Sequence, residues 1–261
     1  MKALRQVRAG MLCVILAAPL ARADLKPTDL KATLSASPTS QATPIVNTIT
    51  FDGKYSCSID TTDAPELTGW ASSKVAPVIK EWYPKIVDML PSDGFEPPTH
   101  FTFVFTPSYK GVAATSGTKV VCSSTYFAAG AHQADLGALV HEMVHIVQQY
   151  HELIGPDAAA HRPPTWLVEG IADYIRWYKY EPTPRGAQIR HAALVKARFN
   201  GSYRISANFL NFVTNKYRQD LVVKLNAALR GGKYESGIWK LLTGKSVDEL
   251  NDEWKAALNN N

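Results

Sequence analysis

The sequence predicts an α+β fold: a mixed α/β N-terminal half, a central pair of site-bearing helices, and an all-helical C-terminal half. Three observations lead there. Alternating β-branched and aromatic runs are confined to the first half of the chain. Apolar residues recur at helical spacing around His141 and again around Glu169. Beyond these two segments every periodic stretch has the helical period, so strands and helices are segregated along the chain.

The elements follow in order. Lys2, Arg5 and Arg8 precede an apolar run from about Ala9 to Leu20, and Ala21-Arg22-Ala23 fits a small-residue cleavage site. Residues 1–23 therefore read as a secretory signal peptide, too short for the ~20 apolar residues of a membrane span. Residues 24–44, rich in Ser, Thr, Ala and Pro, read as a flexible linker, and 45–261 as one folded domain. Val46–Phe51 has strand alternation and is followed by an Asp52-Gly53 turn. A helical pattern spans about 65–90, with Pro77 and Pro84 inside it, so a kink or a break is expected. Residues 100–105 and Lys119–Ser123 read as strands with a glycine-bearing loop between them. About 135–150 is helical, and Pro163-Pro164-Thr165 opens the next helix with Thr165 as its cap. Further helices are expected at 187–199, 205–216, 219–230, 234–242 and 246–258, the last with a Ser246/Glu249 capping box.

Charge and cysteine content narrow the function classes. The chain carries 28 Lys and Arg against 23 Asp and Glu, but Lys2, Arg5, Arg8 and Arg22 leave with the leader, so the remainder has a net charge of +1. A nucleic-acid partner needs a basic stripe. Lys179, Arg185, Arg190, Lys196 and Arg198 form only a loose basic stretch, which a solvated helix face explains. No later segment is long and apolar enough to be transmembrane, so the expected product is a soluble exported protein, periplasmic or extracellular; a monomer is expected, although the sequence does not fix the oligomeric state. Cys57 and Cys122 remain after cleavage, and two cysteines in an exported chain suggest a disulfide.

The chemistry lies in His141-Glu142-Met143-Val144-His145, an HExxH string on a helical pattern. Residues four apart on an α-helix lie about 40° apart and about 6 Å along the axis, so both imidazoles can converge on one ion. Glu142 projects beside them, placed to take a proton from an ion-bound water as general base. A catalytic zinc ion (Zn2+) takes three protein ligands and keeps an open position. Glu169, 24 residues beyond His145, is the expected third ligand, with Asp173 as the alternative. Asp173 shares a helix face with Glu169 and is expected to accept the ring N–H of a ligand histidine, His141 first.

These strings make the chain resemble the plant basic secretory proteins and their bacterial relatives, grouped as zinc peptidases of the gluzincin type. The resemblance is carried by Leu139 to Gln148, by Glu169-Gly170-Ile171-Ala172-Asp173-Tyr174-Ile175-Arg176, by Tyr203 to Leu210 and by Leu241 to Leu250, and it covers most of the chain from about Ile45. It implies a zincin-like catalytic domain with the site helix across the floor of a cleft. The near-neutral mature chain departs from the basicity that gives the plant members their name.

Charge develops on the attacked carbonyl oxygen, so a donor is expected near the ion. Tyr203 is the first candidate, Tyr174 the second and His161 the third. The strand at 120–123 is either an edge that pairs with an extended peptide or an ordinary strand. His132 and His151 read as surface or capping residues, and the tryptophans as core. The expected function is an exported zinc-dependent endopeptidase acting on peptide or protein. The alternatives are a secreted binding module with a structural or vestigial zinc site, and a metal-dependent amidase on cell-wall material.

Overall fold

The computed structural model describes residues 43–150, 162–182, 193, 196–201 and 203–259. The expected signal peptide, nearly all of the linker, and most of the helix expected at 187–199 lie outside the described residues. The described elements belong to the compact unit of residues 42–261.

Strands β1 (Val46–Phe51), β2 (Tyr55–Asp60), β3 (His100–Thr106), β4 (Ala113–Ser116) and β5 (Lys119–Ser123) form one mixed sheet in the order β1-β2-β3-β5-β4. β1 and β2 are an antiparallel hairpin whose turn places Asp52 and Gly53 at positive φ. β2, β3 and β5 run parallel. Parallel neighbours need a crossover, and α1 (Ala76–Met89) lies within the one between β2 and β3. Tyr55, Cys57, Ile59, Phe101, Phe103, Phe105, Val120 and Cys122 alternate into the core. Tyr83 of α1 packs on this face, 4.4 Å from the Phe101 ring and 5.0 Å from Tyr55.

The proline-bearing stretch stays helical. A π turn at Ala71–Val75, closed by the Ala76 N–H on the Ala71 carbonyl, sits directly before Pro77. The wider turn takes up the clash and the missing donor that a proline brings to a helix.

Two strands and a short α-helix are among the elements the sequence does not announce. β2 is serine-rich, β4 is four residues of Ala, Thr and Ser, and α2 (Ser124–Ala128) is short. β4 settles the open question about residues 120–123. β5 is an inner strand between β3 and β4, and among the described residues β4 is the edge. Their hairpin turns at Gly117, whose φ of +57° a side chain would strain.

The expected disulfide is corrected. Cys57 and Cys122 are both buried free thiols. They lie on β2 and β5 with β3 between them, paired with Phe101 and Phe105 respectively. Two strand spacings are about 9.6 Å, already beyond the ~7 Å Cα limit for a bridge. Burial pushes both thiols well above the ordinary cysteine range.

Past the sheet the described elements are helical. α3 (Leu136–Gln148) and α4 (Thr165–Ile175) carry the candidate site. Thr165 is the first residue of α4 rather than its cap, which is Pro164. α5 (Tyr203–Lys216), α6 (Leu221–Arg230), α7 (Ile238–Thr243) and α8 (Val247–Asn259) follow. The Ser246/Glu249 capping box is present, with Glu249 N–H donating to Ser246 Oγ at 3.2 Å and Ser246 N–H to Glu249 Oε2 at 2.8 Å. Trp239 and Trp254 are buried in this half, and Trp70 stacks on Phe127 in the other.

Two contacts fix the site helices. Gly170 of α4 faces Ser206 of α5 so closely that a Cβ would lie 2.8 Å from the Ser206 Cβ, so glycine permits the approach. Arg230 at the end of α6 donates to the Val147, Gln148 and Leu90 carbonyls at 2.9, 3.2 and 3.0 Å. It thereby satisfies the open C-terminal carbonyls of α3, favourably for the helix dipole.

Candidate metal centre

α3 buries Leu139, Val140, Met143, Val144, Ile146 and Val147 completely, and this packing aims the opposite face into a cleft of about 730 Å³. His141, Glu142 and His145 line that cleft from α3, Glu169 and Asp173 from α4, Tyr203 from α5, and Ala113, Ala114 and Thr115 from β4.

Three donor atoms converge there. His141 Nε2 and His145 Nε2 are 3.0 Å apart, and each is 3.1 Å from Glu169 Oε2. The other ring nitrogens are engaged: His141 Nδ1–H donates to Asp173 Oδ1 at 2.7 Å, and His145 Nδ1–H to Gln148 Oε1 at 2.7 Å. In the neutral tautomers this pattern selects, both Nε2 lone pairs and a carboxylate oxygen face one point. Such electron-rich atoms repel one another unless a cation lies between them. Donors of a tetrahedral zinc site with ~2.0–2.1 Å bonds lie roughly 3.3–3.4 Å apart, so the triad fits such an ion with a slight opening.

The electrostatics agree. Burial opposes charge on His141, but the bonds to Asp173 and Glu169 and the nearby carboxylates outweigh it and raise its pKa from 6.5 to about 9. Burial likewise opposes ionisation of Glu169, yet the two histidines lower its pKa to about 2. Without metal the site draws a proton; the same field draws a cation.

The sequence-predicted residues therefore assemble, with Asp173 bonded to His141 and Glu169 facing both histidines. Tyr203 stands at the mouth of the cleft, 52% exposed, its ring 6.1 Å from that of His141. Glu169 first, then burial, raises its pKa and keeps the phenol protonated. Tyr174 is instead buried and stacked on Tyr178, and His161 and His151 lie outside the described residues. His132 stacks on Tyr126, away from the triad.

Two residues escaped the sequence reading of the site. Gln148 is buried, holds His145 through Oε1 and donates from Nε2 to the Val168 carbonyl at 2.9 Å, next to Glu169. Its signal was its position three residues after His145, on the same helix face. Thr115 donates from Oγ1 to Glu142 Oε2 at 2.6 Å and lies 3.1 Å from the Glu142 carbonyl oxygen. No local pattern marks it.

The family described as peptidase of plants and bacteria, BSP, matches residues 62–254 by its family model. The chain belongs to this family. The match bears out the resemblance to the basic secretory proteins, and it takes in the sheet from β3 onward, both site helices and Tyr203. No curated protein and no solved structure matches this BSP member significantly. Among its described residues no helix is long and apolar enough to cross a membrane.

Proposed function

We propose that this BSP member is an exported zinc-dependent endopeptidase with a zincin-like site. The observation that carries this reading is the meeting of His141 Nε2, His145 Nε2 and Glu169 Oε2 within 3.1 Å of one another, in a cleft that Glu142 also lines. Those three residues would hold one ion. Bound there, zinc supplies Lewis acidity that lowers the pKa of a water to near 7 and polarises a carbonyl.

The chain's own residues do the rest. Glu142 takes a proton from the attacking water and returns it to the leaving nitrogen. Asp173 and Gln148 hold the two imidazoles in the tautomer that frees Nε2. Tyr203, kept protonated by Glu169, donates to the carbonyl oxygen as charge grows on it.

The edge strand suits an extended chain. Ser123 N–H donates to the Val112 carbonyl, one step beyond the Ala113/Cys122 pair that ends the β4/β5 register. Hydrogen-bonded pairs alternate along an antiparallel ladder, so Ala114 and Ser116 turn their main-chain groups toward β5 and Ala113 and Thr115 turn theirs outward, where the Ala113 carbonyl already accepts from the Tyr109 hydroxyl at 3.3 Å and the Thr115 groups are the ones offered to a peptide. A peptide pairing there runs past the triad. Export rests on the leader-like residues 1–23.

The test is zinc content and proteolysis of the purified chain lacking residues 1–23. The expected result is one zinc per chain and cleavage of an unfolded protein substrate. Glu142→Gln should keep the zinc and lose cleavage by roughly 10²–10⁴-fold; full activity in that variant rejects the mechanism.

A further inference from the structure

We propose that Thr115 is a positioning residue that couples the seating of an extended chain on β4 to the orientation of the Glu142 carboxylate. This rests on the peptidase reading and adds to it how the substrate acts on the base.

Thr115 has two faces. Opposite Val120 in the register, it occupies a non-hydrogen-bonded position of the β4/β5 ladder, so its N–H and C=O point outward from the sheet. Its side chain stands roughly perpendicular to that direction, on the face of the sheet that meets α3. A threonine hydroxyl carries one proton. At 2.6 Å the Glu142 Oε2 takes it, and the Glu142 main-chain oxygen at 3.1 Å is the lesser contact. The length is that of a charge-assisted O–H···O⁻ bond. With Oε2 held, Oε1 is the oxygen presented to water. Glu142 is 8% exposed, so the carboxylate is clamped between helix and strand.

β4 is four residues long and, among the described residues, paired on one side only. A peptide that pairs with its outer side bonds to the main chain of Thr115 itself. Ordering that residue orders its hydroxyl, and the hydroxyl sets the carboxylate. Substrates long enough to pair along β4 therefore gain in kcat, and short ones bind without setting the base. Binding energy remote from the scissile bond is converted into orientation at the reacting centre.

The experiment compares a fluorogenic dipeptide amide with a longer peptide able to pair along β4, using the zinc-loaded mature chain. Thr115→Val keeps the shape and removes the hydroxyl. Its expected effect is a fall in kcat on the longer peptide of roughly 10- to 100-fold, the range for a lost hydrogen bond to a charged group, with KM and bound zinc little changed. The kcat advantage of the longer peptide should shrink with it, and Thr115→Ser should restore most of both. In a Glu142→Gln background, Thr115→Val should add little further loss. Unchanged kcat in Thr115→Val, an equal loss in Thr115→Ser, or an undiminished length advantage would overturn the coupling and leave the peptidase reading standing. An inactive zinc-loaded wild type would overturn both.

Discussion

Gln148 accepts the Nδ1–H of His145 at 2.7 Å, as Asp173 accepts that of His141 at 2.7 Å. One imidazole leans on a neutral amide and the other on a carboxylate. The amide does double service, because its Nε2 also donates to the carbonyl that precedes Glu169. Two of the three candidate ligands are thus joined through one buried side chain.

Removing that side chain should loosen the metal site. In Gln148→Ala, His145 loses its orienting partner and the Val168 carbonyl loses its donor. Zinc affinity, measured by competition with a chromogenic chelator, should fall about 10- to 100-fold, as for other partners of metal-bound histidines. The metal-free protein should also lose about 1–3 kcal/mol of stability from the unsatisfied buried groups, read by urea denaturation. An unchanged zinc affinity would mean that Gln148 serves packing alone.

Stability of the metal-free protein should depend on pH in a defined sense. The His141 pKa rises from 6.5 to about 9 on folding, against burial, through the bonds to Asp173 and Glu169. A raised folded-state pKa gives stability that is fully present below pH 6.5 and lost as pH rises through about 9. The effect is on the order of 3 kcal/mol at most. Glu169, lowered from 4.5 to about 2, contributes in the opposite sense: its share is present above pH 4.5 and lost as pH falls through about 2. Melting of the chelator-treated protein should therefore drop between pH 6.5 and about 9. Asp173→Asn, which keeps the shape but removes the charge, should flatten that slope. A slope unchanged by Asp173→Asn would show that His141 is not its source.

Tyr203→Phe separates transition-state donation from packing. The ring is 52% exposed, so loss of the hydroxyl costs little stability. If the phenol stabilises the developing oxyanion, kcat should fall up to about 10²–10³-fold, the range for a single oxyanion donor, with KM nearly constant. Equal kcat in the variant would move that role elsewhere in the cleft.

How much of this was legible in the sequence depends on whether a contact is local. His141 and His145 were legible because the helical period alone places them on one face, and Asp173 because it repeats that spacing from Glu169. Their meeting across two helices needed only that α3 and α4 pack, which their apolar faces demand. Thr115 was not legible: Ala113 to Ser116 has neither β-branched enrichment nor alternation, and its strand exists because β5 offers it a ladder. The cysteines show the converse failure. Their number suggested a bond, whereas strand order, a non-local property, puts β3 between them.

Metal removal distinguishes a catalytic from a structural ion. The six completely buried apolar residues of α3, and the Arg230 clamp on its last carbonyls, hold the helix in place without help from the triad. Gly170 and Ser206 keep α4 against α5 in the same way. The core therefore does not depend on the ion, unlike small zinc domains that unfold without it. Chelation should abolish cleavage while far-UV circular dichroism stays unchanged. The unfolding free energy should fall only by the linkage term for a lost ligand, about 4 kcal/mol relative to zinc at a thousand times its Kd. Restoring zinc should restore activity without a refolding step. Unfolding on chelation, with no activity before it, would favour a structural ion in a binding module.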